Sequence, residues 1–281
     1  MKVFMLGIGG IGMSALALYY KKIMKWEVYG YDLTPSKITE KLASGGIKVI
    51  HEDNPSLLAP GIDLVVYTPA IPSSLKIFQK LREELPSDRI IKRSVALATI
   101  VNKYPLIAVA GTHGKTTITS MLIHILNYAG KRVLGFSGGI MQNYDNNFLG
   151  YENPEIAVTE ADEYDRSLLH LFPHFSILTY ADWDHTDTYP TLSSLYQTFR
   201  EFLKKTSQKV KVVNINLPGE IIRDIDVIAY GEKSKVERKG NAFSAVYSYE
   251  ALPPIFENEI IGNANGYIYP PENSDKVKIN L

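Results

Sequence analysis

The sequence of 281 residues contains no cysteine. Disulfide bonds, thiolate metal sites and cysteine nucleophiles are therefore excluded, and we expect a protein of the reducing cytoplasm. An excess of charge is also lacking, because 30 Lys and Arg residues balance 30 Asp and Glu residues. Such a chain has no overall positive field that would gather nucleic acid or anionic lipid, so we expect neither partner. Any phosphate must be bound locally, by backbone amides and a few cations.

Long apolar runs are absent as well, since none reaches the roughly 20 residues that a membrane-spanning helix needs. The apolar stretch after Lys2 loosely imitates a signal peptide, but Gly7, Gly9, Gly10 and Gly12 interrupt it. A nucleotide-binding turn explains these glycines better. We therefore expect no membrane insertion and no targeting peptide.

Short apolar runs alternate with helical patterns along most of the chain, which predicts an α/β fold with mostly parallel sheets. The pattern restarts after Pro105, so we predict a Rossmann-like domain at residues 1–100 and a P-loop ATPase-like central domain at residues 101–281. Strands are predicted at residues 3–6, 27–31, 47–50, 64–67, 106–110, 156–159, 175–180, 209–214 and 242–249. Helices are predicted from Thr117 to about Ala129 and from Leu192 to Lys205.

The strongest motif directly follows a predicted strand and opens a predicted helix. It reads Gly111-Thr112-His113-Gly114-Lys115-Thr116-Thr117. Glycines let the backbone approach a phosphate closely, and the helix N-terminus contributes the positive end of its dipole. Lys115 would contact the β- and γ-phosphates, and the Thr116 hydroxyl would bind magnesium. Val109 replaces a glycine of the usual motif, so the loop is a shorter variant; a glycine turn at a helix start is the alternative.

An acidic cluster follows the strand predicted at residues 156–159. It reads Glu160-Ala161-Asp162-Glu163-Tyr164-Asp165. Four crowded carboxylates repel one another unless a cation compensates them, and magnesium prefers carboxylate and phosphate oxygens. Glu160, the first residue beyond the predicted strand, is the best-placed ligand. The alternative is a solvated acidic loop.

A third polar cluster follows the strand predicted at residues 175–180. It reads Asp182-Trp183-Asp184-His185-Thr186-Asp187. Open α/β sheets bind ligands at the carboxyl ends of their strands, which favours His185 as a functional residue. A lone histidine is otherwise more often structural.

A glycine-rich turn also follows the first predicted strand. It reads Gly7-Ile8-Gly9-Gly10-Ile11-Gly12, and Asp32 closes the second strand twenty residues later. This is a dinucleotide-type fingerprint, which predicts a diphosphate at the N-terminus of the following helix. By itself it would suggest a nicotinamide- or flavin-dependent oxidoreductase.

Together, these motifs resemble the Mur ligase family, the ATP-dependent enzymes that build the peptide stem of peptidoglycan. The resemblance extends to Thr68-Pro69-Ala70-Ile71, Arg166-Ser167 and Leu169-His170-Leu171. It covers residues 1 to about 230 and is greatest to the member that joins L-alanine to UDP-N-acetylmuramate.

The resemblance implies roles for individual residues. UDP-N-acetylmuramate would bind at Gly9, Gly10, Ile11, Gly12, Asp32 and Thr68. ATP and Mg²⁺ are the implied cofactors, with one metal ion at Thr116 and Glu160 and a second at His185. Lys115, Glu160 and His185 are the implied catalytic residues. The γ-phosphoryl group of ATP would pass to the sugar's carboxylate, and L-alanine would attack the acyl phosphate.

Family members also carry a third α/β domain, which we expect to be needed for full activity. The sequence leaves open three explanations for it: truncation, divergence, or a separate partner that supplies the domain in trans. Residues 262–265 lie roughly where an adenine-facing helix should begin, yet the residues that follow them do not read as a helix. A non-catalytic module that binds ATP and a UDP-sugar is one alternative, and a muropeptide-recycling ligase is another. An oxidoreductase would leave residues 111–117 unexplained.

Overall fold

The structure is a computed structural model that describes residues 1–207, 210–214, 216–230, 265–268 and 277–280. The chain divides into two compact units, Met1–Ile100 with Asn147–Asn153 and Val101–Asn146 with Pro154–Leu281. Within the described ranges, every helix is too short or too polar to cross a membrane. The strand predicted at residues 242–249 lies outside the described residues.

The first unit is a five-stranded sheet flanked by helices. Its elements are β1 (Lys2–Leu6), α1 (Ile11–Lys22), β2 (Glu27–Tyr31), α2 (Lys37–Ser44), β3 (Lys48–Ile50), β4 (Leu64–Tyr67), α3 (Lys76–Glu84), β5 (Ile90–Lys92) and α4 (Arg93–Val101), with short 3₁₀ turns at Pro55–Leu57 and Ser87–Arg89. The strand order is β3-β2-β1-β4-β5, and all pairings are parallel. The predicted α/β fold is confirmed here.

The central strand of this sheet is apolar because both of its faces are covered. Four of the five residues of β1 are buried, as expected for an inner strand of a parallel sheet. Met5 pairs with Gly30 of β2, and a Cβ atom at Gly30 would lie 2.5 Å from Cδ1 of Ile8. A glycine at position 30 therefore leaves room for the turn that follows β1.

The second unit contains a larger sheet. Its elements are β6 (Leu106–Ala110), α5 (Lys115–Tyr128), β7 (Val133–Met141), β9 (Ile156–Ala161), β10 (Phe175–Leu178), α6 (Leu192–Lys204), β11 (Lys211–Asn214), α7 (Gly219–Ile222), β12 (Ile228–Tyr230), β13 (Asn265–Ile268) and β14 (Val277–Asn280), with 3₁₀ turns at Gln142–Tyr144 and Tyr164–His170. Strand β8 (Asn146–Leu149) belongs to the first unit except for its first residue. The strand order within this unit is β12-β11-β10-β6-β9-β7, and β13 and β14 form a separate antiparallel pair. The five pairings from β12 to β7 are parallel.

Several predicted boundaries in the second unit are wrong, among them the end of the strand predicted at residues 175–180, which is Leu178. Two others affect the loop after β6 and the acidic cluster. Helix α5 begins at Lys115 rather than Thr117, because Gly114 adopts a left-handed φ of 79° and turns the chain directly into the helix. Strand β9 continues to Ala161, so Glu160 lies inside the strand, opposite Val109 of β6. Pairing with β6 extends the strand beyond its apolar residues.

The main apolar cluster of the first unit provides a stability test. Phe78 is 1% exposed and packs against Tyr67, with ring centroids 5.0 Å apart. Phe78→Ala should lower the free energy of unfolding by about 3–5 kcal/mol, because it leaves a cavity. Urea unfolding followed by circular dichroism measures the loss. Leu33, which is 71% exposed, is the matched control, and Leu33→Ala should change stability by less than about 0.5 kcal/mol. Equal losses would contradict this assignment of the core.

Candidate functional site

The loop between β6 and α5 is shaped by two glycines with positive φ. Gly111 has φ 122° and Gly114 has φ 79°. The Thr112 amide donates to the Tyr180 carbonyl at 2.9 Å, and the Thr179 hydroxyl donates to the His113 carbonyl at 2.5 Å. Because Gly114 has no side chain to cap α5, the first amides of the helix are available to an anion.

Lys115 is oriented by two oxygen-bearing groups. Its Nζ atom donates to the Gly111 carbonyl at 2.6 Å and lies 2.8 and 3.0 Å from the two carboxylate oxygens of Glu163. The Lys115 side chain is 16% exposed and that of Glu163 is 0% exposed. The ammonium group is therefore fixed at the edge of the loop by a buried carboxylate.

Glu163 also contacts the third polar cluster. Nε2 of His185 lies 3.5 Å from Oε1 of Glu163, and the hydroxyl of buried Tyr189 donates to the Glu163 carbonyl at 2.6 Å. Ligand-type atoms of Asp162, Glu163 and His185 lie within 4.8 Å of one another. The structure thus brings the predicted residue His185 to Glu163.

Glu160 lies against the loop through different contacts. Its Oε1 accepts a hydrogen bond of 2.5 Å from the Gly138 amide, and its carboxylate also accepts one from the Thr116 hydroxyl. Burial raises the pKa of the Glu160 carboxyl above its ordinary value, and the charge of Asp162 adds to this rise; the two hydrogen bonds and the charge of Lys115 oppose it. A nearby cation would relieve this cost.

The oxygen atoms of Thr116 and Glu160 are of the kind that magnesium prefers. Their side chains are joined by a hydrogen bond, and Thr116 is exposed at the start of α5, so the pair fits a magnesium ion beside a bound phosphate. His185 is a softer ligand, and its nearest described carboxylate is that of Glu163. The assignment of all three residues to metal remains a prediction.

Two adjacent glycines of β7, Gly138 and Gly139, allow the strand to lie close to Glu160 and Thr116. The sequence did not predict this role. A Cβ atom at Gly138 would lie 2.5 Å from Oε2 of Glu160, and one at Gly139 would lie 2.9 Å from Cγ2 of Thr116. The adjacent glycines were the available signal, but only the pairing of β7 with β9 relates them to Glu160. Glu163 was noticed only as one member of the acidic cluster.

The first unit carries the other predicted residues. The Gly9 amide donates to Oδ2 of Asp32 at 2.8 Å, and the Thr34 amide donates to Oδ1 at 3.1 Å, so Asp32 braces the glycine-rich turn. Gly7 has φ 84°, and a Cβ atom there would lie 2.5 Å from Cγ2 of Thr68. The turn, Asp32 and Thr68 are therefore neighbours, as the prediction of one binding site requires.

The N-terminus of α1 faces a cation that was not among the predicted site residues. Gly10 precedes the helix, whose first turn has no acidic residue. A Cβ atom at Gly12 would lie 2.9 Å from Nη1 of Arg93, and Asn147 donates to the Ile11 carbonyl and to the Ser14 hydroxyl. An arginine beside a helix N-terminus suits an anion.

Comparison with known families decides the classification. The family model described as "Mur ligase middle domain" matches residues 109–252, slightly more than half of the chain. This chain belongs to the Mur ligase family. A second model, "Mur ligase family, catalytic domain", matches residues 2–105.

Curated relatives of this Mur ligase are named UDP-N-acetylmuramate–L-alanine ligase. The protein from Flavobacterium johnsoniae is 44% identical over 223 residues, which cover 78% of this chain and 49% of the relative. The protein from Porphyromonas gingivalis W83 is 40% identical over 206 residues, which cover 72% and 44%. The chain thus spans about half the length of these relatives.

Solved structures agree with this classification. UDP-N-acetylmuramate-alanine ligase from Thermotoga maritima superposes with a TM-score of 0.73 at 28% identity, covering 83% of this chain and 53% of that one. UDP-N-acetylmuramate:L-alanyl-γ-D-glutamyl-meso-diaminopimelate ligase from Neisseria meningitides also gives 0.73, at 25% identity, covering 82% and 78%.

The two loop glycines of this Mur ligase form a matched pair for mutation. A Cβ atom at Gly111 would lie 2.2 Å from Oγ1 of Thr179 and 2.8 Å from the Tyr180 amide, whereas at Gly114 no atom of the described residues lies within 4 Å. Gly111→Ala should lower the free energy of unfolding by about 2–4 kcal/mol, because the added methyl group is overpacked and the backbone has a positive φ. Gly114→Ala should lower it by only about 1–2 kcal/mol, because the positive φ alone is unfavourable there. Urea unfolding of both variants measures the difference. Equal destabilisation would show that the packing around Gly111 is not as described.

Because the pKa of the Glu160 carboxyl is raised, replacing Glu160 by glutamine should stabilise the fold by an amount that depends on pH. At a pH above the raised pKa, the buried Glu160 carboxylate is ionised and lowers the free energy of unfolding. At a pH below the ordinary pKa of 4.5, the carboxyl is protonated in both the folded and the unfolded state, so this cost of burial vanishes. Glu160→Gln should therefore raise the unfolding temperature of the nucleotide-free chain at pH 7.5. This gain should shrink as the pH falls through the raised pKa.

Glu201→Gln, on the exposed face of α6, is the control and should show no such dependence. Thermal unfolding at pH 7.5 and at the lowest pH where the chain stays folded provides the comparison. A Glu160→Gln variant less stable than wild type at pH 7.5 would refute the assigned burial cost.

Proposed function

We propose that this Mur ligase binds ATP and UDP-N-acetylmuramate and takes part in joining L-alanine to the sugar's carboxylate, in the cytoplasm. The observation that carries the proposal is the position of Lys115, fixed at the mouth of a glycine loop beside the Thr116–Glu160 pair. The substrates are those in the printed names of the relatives.

ATP would bind in the second unit, at residues 111–117. The amides that open α5 would bind phosphate oxygens, and the Lys115 ammonium would offset charge on the transferring phosphoryl group. Bound magnesium would further neutralise the phosphates; Thr116 and Glu160 would hold one ion and His185 a second.

UDP-N-acetylmuramate would bind in the first unit. Its diphosphate would bind at the N-terminus of α1, where the turn at Gly9, Gly10, Ile11 and Gly12 allows close backbone approach and Arg93 supplies a positive charge. Because both carboxylate oxygens of Asp32 accept hydrogen bonds from backbone amides, we assign Asp32 the role of shaping the turn. Thr68 would line the same turn.

The proposed reaction has two steps. A carboxylate oxygen of the sugar attacks the γ-phosphorus of ATP, the bond to the β-phosphate oxygen breaks, and ADP leaves. The amine of L-alanine then attacks the acyl carbon and loses a proton, and phosphate leaves as the amide forms. Apart from positioning, the protein contributes charge stabilisation by Lys115 and the helix amides.

The relatives are about twice as long as the matched region. We propose residues 1–100 as the sugar-nucleotide domain and residues 101–281 as the ATP domain, and we expect full ligase activity to need the part of the relatives that lies outside the matched region. The alternative is a module that binds both nucleotides without making an amide.

A variant at Lys115 tests the nucleotide site. Lys115→Ala should weaken binding of a magnesium-bound, non-hydrolysable ATP analogue by at least about 100-fold, since it removes a charged phosphate contact. Isothermal titration calorimetry measures the affinity. Lys131→Ala is the matched control, because Lys131 lies beyond the far end of α5 and pairs with Glu155. Unchanged affinity in Lys115→Ala would refute the site.

Phosphate release then separates the candidate activities. The chain is assayed with ATP, magnesium and UDP-N-acetylmuramate, alone and mixed with the C-terminal half of the Flavobacterium johnsoniae relative. Release that requires L-alanine supports the proposed ligase. Release that requires L-alanyl-γ-D-glutamyl-meso-diaminopimelate instead supports the activity named for the Neisseria structure. Nucleotide binding without release supports the binding module.

A further inference from the structure

The carboxylate of Glu163 lies where it competes with a phosphate for Lys115. Both of its oxygens lie within 3.0 Å of Nζ, and the Gly111 carbonyl receives another N–H. An ammonium group has three donors, so in this arrangement its hydrogen-bonding capacity is in use. A polyphosphate that reaches Lys115 must share or replace the contact with Glu163.

Glu163 is poorly able to leave Lys115. Its side chain is 0% exposed, and its backbone carbonyl accepts a hydrogen bond from buried Tyr189. Removing the ammonium partner from a buried carboxylate is strongly unfavourable. In the folded unit, Glu163 therefore stays beside Lys115 and competes with any phosphate that approaches the ammonium group.

The neighbouring carboxylates also disfavour binding of a metal-free phosphate. The charges of Lys115 and Asp162 both act on Glu160, and the ligand-type atoms of Asp162 and Glu163 are within 4.8 Å of each other. The Lys115 ammonium group thus shares a partly buried site with the carboxylates of Glu160 and Glu163. Asp162 adds a third carboxylate beside them. A nucleotide without metal adds negative charge to an acidic site, whereas a nucleotide with magnesium brings compensating charge.

We propose that Glu163 makes this site select the magnesium-bound nucleotide over the metal-free nucleotide, by neutralising Lys115 in advance. The inference rests on the proposed function, because it assumes that the nucleotide binds at residues 111–117. Glu163 is a positioning residue that acts through Lys115. Its neutral analogue should release Lys115 to a metal-free phosphate, which a purely structural role for Glu163 does not predict.

The test is the affinity for ADP, measured by calorimetry once with magnesium and once with EDTA. For wild type, magnesium should strengthen binding. Glu163→Gln should bind metal-free ADP about tenfold more tightly than wild type, and its dependence on magnesium should fall by at least the same factor. Glu201→Gln, on the exposed face of α6, should match wild type in both conditions.

A double variant shows whether the effect runs through Lys115. In a Lys115→Met background, adding Glu163→Gln should give no gain in metal-free affinity. If Glu163→Gln does not fold, Glu163→Asp replaces it. This variant withdraws the carboxylate by one methylene and should give a smaller gain of about two- to threefold.

The outcomes separate the two proposals. Wild type that fails to bind ADP with magnesium overturns the proposed nucleotide site and this inference together. Wild type that binds, with a Glu163 variant no tighter for metal-free ADP, overturns the inference alone. An equal gain with Lys115 absent also overturns it, since the carboxylate would then act only as a distant charge.

Discussion

Parallel pairing of β6, β7, β9 and β10 brings the carboxyl ends of four strands to one edge of the second sheet. Each end delivers a different chemical group. The glycine loop follows β6, Glu160 and Glu163 come with β9, and Thr179 follows β10 and donates to the loop. Gly138 of β7 leaves space for the carboxylate of Glu160, and Gly139 leaves space for Thr116. Since the register of these strands fixes which groups meet, the site depends on the pairing of the sheet more than on any single loop.

This arrangement concentrates negative charge, and the fold accommodates it in two ways. Glu163 is matched by the Lys115 ammonium, with both carboxylate oxygens engaged. Glu160 is stabilised by the Gly138 amide and the Thr116 hydroxyl, yet burial still raises its pKa. Residual unfavourable charge at a ligand site is common, because the ligand supplies the missing compensation. A magnesium-bound phosphate is the ligand whose charges suit both carboxylates.

Local sequence was sufficient where backbone chemistry alone determines the structure. The turn at residues 111–114 was predicted because its glycines adopt φ values that other residues rarely adopt, and the short apolar strands predicted the α/β fold. The pairing of strands that are far apart in the sequence could not be predicted from local patterns. Strand β7, whose apolar pattern is interrupted by Ser137, Gly138 and Gly139, was not predicted, and so neither was the contact between Gly138 and Glu160. Glu160 and Glu163 are three residues apart, and only the fold separates their roles: one approaches Thr116 and the other Lys115.

The central claim is that the amides of the loop, the Lys115 ammonium and the Thr116–Glu160 pair together bind a polyphosphate. A crystal structure of the chain with magnesium and a non-hydrolysable ATP analogue tests it most directly. The account predicts that the triphosphate lies along residues 111–117, within hydrogen-bond distance of Lys115 Nζ, with the metal between the phosphates and Thr116. Analogue bound elsewhere, with the loop empty at saturating concentration, would contradict it.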